Sequence, residues 1–159
     1  MLVKDAAAEA AEQTLRELWD GEFPIDPRKL AKAQGIKVEF ARLLEDISGA
    51  IVARPGDVTI LVEETQDFTR QRFTIAHELG HYFERVIAGD AEYSFVERRG
   101  GNGYSLHELY ADTYAANLLM PEFEFRTVYE MTSDVSQVAE YFAVSKSAAQ
   151  MRINKLGLI

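Results

Sequence analysis

The stretch Phe73-Thr74-Ile75-Ala76-His77-Glu78-Leu79-Gly80-His81-Tyr82 carries most of what the chain discloses. It holds the pattern H-E-x-x-H inside a helical run. Residues four apart on a helix share a face, with Cβ atoms about 5–6 Å apart. His77 and His81 can each turn one ring nitrogen toward a single zinc ion, at about 2.0–2.1 Å. Glu78 lies between them in sequence, placed for general-base work on a water rather than for binding the metal. Ile75, Ala76, Leu79 and Gly80 are apolar or small, so this helix should be mostly buried. Gly80 costs about 1 kcal/mol of helix propensity relative to alanine. Its expected use is to let another element pass close to the metal. The bare pattern also arises by chance, with the histidines merely hydrogen-bonded in a core. Two of the chain's three histidines form the motif, however. Both sit on an apolar helix, where an unpaired imidazole costs free energy.

A catalytic zinc needs a third protein ligand and one open position. The candidates are His107 and Glu108, on the next predicted helix. The segment Glu108-Leu-Tyr-Ala-Asp112 favours Glu108, because it puts two carboxylates on one face. Glu108 then binds the metal, and Asp112 accepts a hydrogen bond from a ligand imidazole, fixing its tautomer. An exposed acidic face fits less well, because Ala111, Ala115, Leu118 and Leu119 make the helix apolar. His107 is then a surface residue or a substrate contact. An extra donor for a tetrahedral oxyanion is expected. Tyr93 and Tyr104, in or beside a glycine-bearing loop, are weak candidates, since tyrosines more commonly serve packing. Histidine and carboxylate ligands suit Zn2+ and also accept Mn2+, Fe2+ or Co2+.

Outward from this centre, the bulk properties set limits. The 159 residues suffice for one domain with a core, or one domain and a small appendage. At 47% hydrophobic and 27% charged, the composition is globular rather than disordered. A net charge of −9 opposes general affinity for nucleic acid. With no cysteine, disulfides, thiolate ligands and a thiol nucleophile are excluded. The N-terminal acids Asp5, Glu9 and Glu12 do not suit a signal peptide. No stretch approaches a membrane span, and the cytoplasm is the default address.

The rest of the pattern points to an α+β domain, mainly helical. Helices are expected over residues 4–19 and 28–34, the second capped by Asp26 with Pro27 in its first turn. Ile36, Val38 and Phe40 alternate as in a half-buried strand. Residues 50–52 and 58–62 flank Pro55-Gly56-Asp57, a hairpin turn. These imply a small, largely antiparallel sheet of about three strands. Helices are expected over 69–86 and 105–119. Residues 90–104, with Gly100, Gly101 and Gly103, read as a mobile loop. Two further helices form a helix-turn-helix-like unit in residues 131–159, appended to a peptidase domain of residues 1–130. Its Lys146, Gln150, Arg152 and Lys155 would face DNA in one reading. From Asp134 to Ile159, however, three bases meet two acids, a net of +1. That supports few phosphate contacts, so packing or protein contact is the preferred role, and no residue is assigned to nucleic-acid binding.

The run from Arg72 to Tyr82 is followed by Glu108-Leu-Tyr-Ala-Asp-Thr-Tyr-Ala-Ala-Asn-Leu-Leu-Met-Pro121. Together they resemble the ImmA/IrrE family of metallopeptidases, over most of the chain. The resemblance implies a zincin-like fold of the gluzincin type. It also implies His77, His81 and Glu108 as zinc ligands and Glu78 as catalytic base. Asp112 stands where the family usually has Asn, a conservative departure. The resemblance further implies a cytoplasmic endopeptidase that cleaves a helix-turn-helix repressor or antitoxin-like partner. Such enzymes act in stress-response, mobile-element or toxin–antitoxin modules. The alternatives are a non-catalytic regulator binding DNA or protein through the tail, and a zinc hydrolase acting on a small amide.

Overall fold

The structure is a computed structural model and describes every residue except Met1, Asn102, Tyr104 and Ile159. Its centre is helix α3 (Phe68–Ile87), whose buried residues run unbroken from Thr74 to His81. Asp67 starts it, accepting from the Arg70 backbone N–H at 2.9 Å, as a helix cap should. Preceding it are α1 (Val3–Leu18), α2 (Pro27–Ala33) and three strands: β1 (Lys37–Ala41), β2 (Ile47–Arg54) and β3 (Asp57–Glu63). Asp26 caps α2 and Pro27 opens it, as their spacing predicts. After α3 come β4 (Tyr93–Arg98), α4 (Leu106–Leu119), α5 (Glu122–Thr132), α6 (Val135–Phe142) and α7 (Lys146–Lys155). The chain is α+β and mainly helical.

The sheet has four strands in the order β1-β3-β2-β4. Pro55 and Gly56 link β2 to β3, with Arg54 opposite Asp57 and Gly56 at φ +77°. The sheet departs from the sequence expectation in two ways. First, β1 pairs with β3 in parallel, so the sheet is mixed. Pairing between distant segments leaves no mark in local pattern, and the β2–β3 hairpin alone was legible. Second, β4 lies inside the stretch read as a mobile loop. Its inward residues are Tyr93, Phe95 and Glu97, and Glu97 is the most buried of them. An acid in the inward series disguises the alternation that marks a strand. Helix α5 lies where the sequence pattern specifies no separate element.

Helix α3 packs on α4 and against β2 and β3, and α4 packs on α1. Gly80 makes the α3–α4 crossing close, as expected. A Cβ there would lie 2.9 Å from Ala111 Cα and 3.2 Å from Ala111 O. The Tyr114 hydroxyl donates to Thr14 Oγ1 at 3.0 Å, tying α4 to α1 inside the core. Val138, Phe142, Ala149 and Ile153 of the last two helices join the same apolar cluster as Leu79, Leu118 and Ile51. The buried Arg72 guanidinium fastens them. It donates to the carbonyls of Ile25 (2.6 Å), Ala143 (3.0 Å) and Phe142 (3.3 Å). Among the described residues, no helix is long and apolar enough to cross a membrane.

Candidate metal centre

Two helices bring the predicted residues together. His77 and His81 lie on the buried face of α3, each 1% exposed. Their rings are 4.9 Å apart and nearly perpendicular. Glu108 comes from the first turn of α4. Ser105 caps that turn, accepting from the Glu108 backbone N–H at 3.1 Å. The sequence Ser105-Leu-His-Glu108 suits a capping box, in which the acid would reach back to the cap. Here the Glu108 carboxylate turns to the imidazoles instead. Its two oxygens lie 3.1 Å from His77 Nε2 and 3.1 Å from His81 Nε2. Neither nitrogen finds a partner with hydrogen-bond geometry, although both are buried. One ligand atom from each of the three residues falls within 4.8 Å of the others. Two orphaned, converging nitrogens beside a carboxylate are a donor set that suits a divalent metal ion.

Asp112 lies one turn after Glu108. Its carboxylate oxygen is 2.8 Å from His77 Nδ1, the nitrogen facing away from the cluster. This bond aims Nε2 at the shared point. His81 has no equivalent, since its Nδ1 is unpartnered. Its ring is held by stacking on Phe95 of β4, 4.0 Å away and 4° from parallel. If the cluster holds a metal ion, Asp112→Ala is expected to weaken its binding by roughly 10–100-fold. Because 59% of the Asp112 side-chain surface is exposed, the fold should survive the change. Competition against a chelating indicator measures it, and an unchanged affinity would remove Asp112 from the site.

Glu78 is wholly buried, and neither carboxylate oxygen has a hydrogen-bond partner among the described residues. It lies under β2 where Gly49 leaves room. A Cβ at position 49 would collide with Thr74 Cγ2 and stand 3.8 Å from Glu78 Oε2. Burial pushes the Glu78 acid well above the ordinary glutamate range. Burial also lowers His81. His77 goes the other way. Burial opposes its charged form, but the Asp112 and Glu108 carboxylates, with Glu97 and Glu78 nearby, outweigh it. Burial would raise Glu108, yet the two adjacent imidazoles hold it far below the usual carboxylate range.

Sequence reasoning missed Glu97. Its Oε2 is buried, unpartnered and 3.5 Å from His77 Nε2, while Oε1 accepts from Arg70 Nη2 at 3.2 Å. Burial raises its acid as well. The only sequence signal was the aromatic and β-branched alternation of residues 93–97. His107, offered as an alternative ligand, stands outside the cluster. It is largely exposed, and its Nδ1 lies 2.8 Å from Glu84 Oε1. Tyr93 is not gathered into the trio either. Its ring packs 5.9 Å from Phe95, and its buried hydroxyl is unpartnered. Tyr104 lies outside the described residues. Arg152, one of the four residues considered for DNA, is buried. It donates to Met120 O (3.1 Å) and Asn117 Oδ1 (3.0 Å), so it is committed to α4.

Fold and donor set together are those of an α+β domain whose His77, His81 and Glu108 could hold a metal ion. The model of the IrrE N-terminal-like domain family (Peptidase_M78) matches residues 31–154, and the chain belongs to that family. Among solved structures, a Mycobacterium tuberculosis transcriptional regulator is similar, with a TM-score of 0.65 at 18% identity. The match covers 95% of this chain and 50% of the regulator's, so this chain spans half the length of that structure. A search of curated proteins finds no match.

Proposed function

We propose that the chain is a zinc-dependent endopeptidase with a protein substrate. The observation that carries this is the convergence of His77, His81 and Glu108 within 4.8 Å, beside a buried, unpartnered Glu78. A divalent metal held by His77, His81 and Glu108 would supply Lewis-acid polarisation of a scissile carbonyl and would acidify a water. Glu78 takes that water's proton and passes it to the leaving amine. Its burial disfavours the charged carboxylate, which favours uptake of a proton. Asp112 keeps His77 in the tautomer that presents Nε2. Ile75, Ala76 and Leu79 bury the opposite side of the helix in the core, which fixes the two histidines in place.

The proposed substrate is a helix-turn-helix repressor or an antitoxin-like regulator. The family resemblance supports this class, and the similar solved structure is itself named a transcriptional regulator. That name also favours a second reading, in which the chain regulates by binding through α6 and α7. The burial of Arg152 leaves this unit fewer free bases for DNA. The test is incubation of the zinc-loaded chain with purified candidate repressor, followed by intact-mass measurement. Two discrete fragments are expected, abolished by a chelator and restored by zinc. Cleavage that persists in Glu108→Ala with chelator present would sink the peptidase reading. An intact repressor in a stable complex would favour the regulator.

A further inference from the structure

Resting on the metal centre behind the peptidase reading, we infer that Glu97 is a fourth, displaceable ligand, whose free carboxylate oxygen closes at rest the position that a substrate carbonyl must enter. The trio of His77, His81 and Glu108 leaves one position of a tetrahedral ion unfilled. Glu97 Oε2 lies 3.5 Å from His77 Nε2, the nitrogen that Asp112 aims into the cluster. Ligand atoms that share a tetrahedral zinc ion are about 3.3 Å apart, given bonds of about 2.0–2.1 Å. The 3.1 Å separations within the trio and the 3.5 Å separation to Glu97 bracket that spacing.

The backbone is built to bring this acid inward. Glu97 belongs to the inward series of β4, with Tyr93 and Phe95. Its register partner on β2 is Gly49, which has no side chain to stand in the way. Between Gly49 and Ile47, strand β2 carries one residue more than β4 does. A bulge of this kind re-aims a side chain. Strand β4 thereby serves both imidazoles, with Phe95 stacked on His81 and Glu97 facing His77. A buried carboxylate in that series costs free energy that an apolar residue would not. The structure offsets only half of it. Oε1 accepts from Arg70 Nη2 at 3.2 Å, whereas Oε2 is buried without a partner among the described residues. An ion held by the trio would satisfy it.

The same arrangement makes the ligand displaceable. The residues whose ligand atoms fall within 4.8 Å of one another do not include Glu97. Its Oε2 therefore meets the ion by a turn of the side chain, and Arg70 opposes that turn. Arg70 stands in the first turn of α3 with 43% of its side-chain surface exposed. A carboxylate shared between a guanidinium and an ion can go to either. An incoming carbonyl then has only to tip the balance toward Arg70.

Cobalt-substituted protein tests this. The visible absorption of Co2+ reports its ligands, and imidazole, an uncharged ligand, competes for the fourth position. Parent and Glu97→Gln should differ in absorption before imidazole is added. They should coincide once it saturates, because the ion then has the same ligands in both. Glu97→Gln should bind imidazole about fivefold or more tighter, having no resident carboxylate to displace. Arg70→Gln, which releases Oε1, should bind it about threefold or more weaker than the parent. Because imidazole is neutral, a mere change in local charge would leave these affinities level. Glu92→Gln, at an exposed acid just before β4, should match the parent throughout. Spectra that coincide before imidazole would put Glu97 beside the ion rather than on it and overturn the assignment. Spectra that still differ at saturation would make its role structural and overturn it equally. Uptake of neither cobalt nor zinc by the parent would overturn the peptidase reading as well.

Discussion

Glu78→Gln is expected to bind zinc with unaltered stoichiometry and to lose about 10³-fold in hydrolysis. Glutamine keeps the size and shape of the side chain, so Thr74 and Gly49 retain their packing around it. It cannot take up a proton, so the attacking water loses its base. The three proposed ligands, His77, His81 and Glu108, are untouched, and metal content by atomic absorption should match the parent. Stability should move by less than about 1 kcal/mol, since the side chain gives up no hydrogen bond. Hydrolysis at the parental rate would end the general-base assignment. Loss of zinc together with activity would recast Glu78 as a ligand.

The second large effect is on the scaffold. Arg72→Met should destabilise the chain by about 3 kcal/mol in urea unfolding. Methionine preserves the length of the apolar stem but supplies no donor. The carbonyls of Ile25, Phe142 and Ala143 would then lose the guanidinium that satisfies them. Two of the three belong to the last helices and their turn, so the substitution should loosen α6 and α7 first. Hydrogen exchange would show the order of opening. A loss below about 1 kcal/mol would mean that water replaces the guanidinium without cost.

The sequence was most informative where the chemistry is local. Two histidines one helical turn apart, and two acids one turn apart on the next helix, announce themselves by spacing alone. The hairpin at Pro55-Gly56 did so through its turn residues. Long-range geometry was silent. Nothing in Lys37–Ala41 says that it pairs with β3 rather than β2, or runs parallel to it. Glu97 stayed hidden because it occupies the inward side of a strand, where an apolar residue is expected. Arg152 misled in the opposite sense. An arginine on a short C-terminal helix reads as solvent-facing, but its long stem is buried and its head meets the carbonyl of Met120, just past the end of α4.

The close crossing at Gly80 and Ala111 carries a consequence for how such a centre endures. Main chain rests almost directly on main chain there, so no rotamer can absorb a change in separation. The offset between α3 and α4 is therefore set by backbone contact rather than by the side chains around it, and any residue larger than glycine at position 80 would have to push the two helices apart.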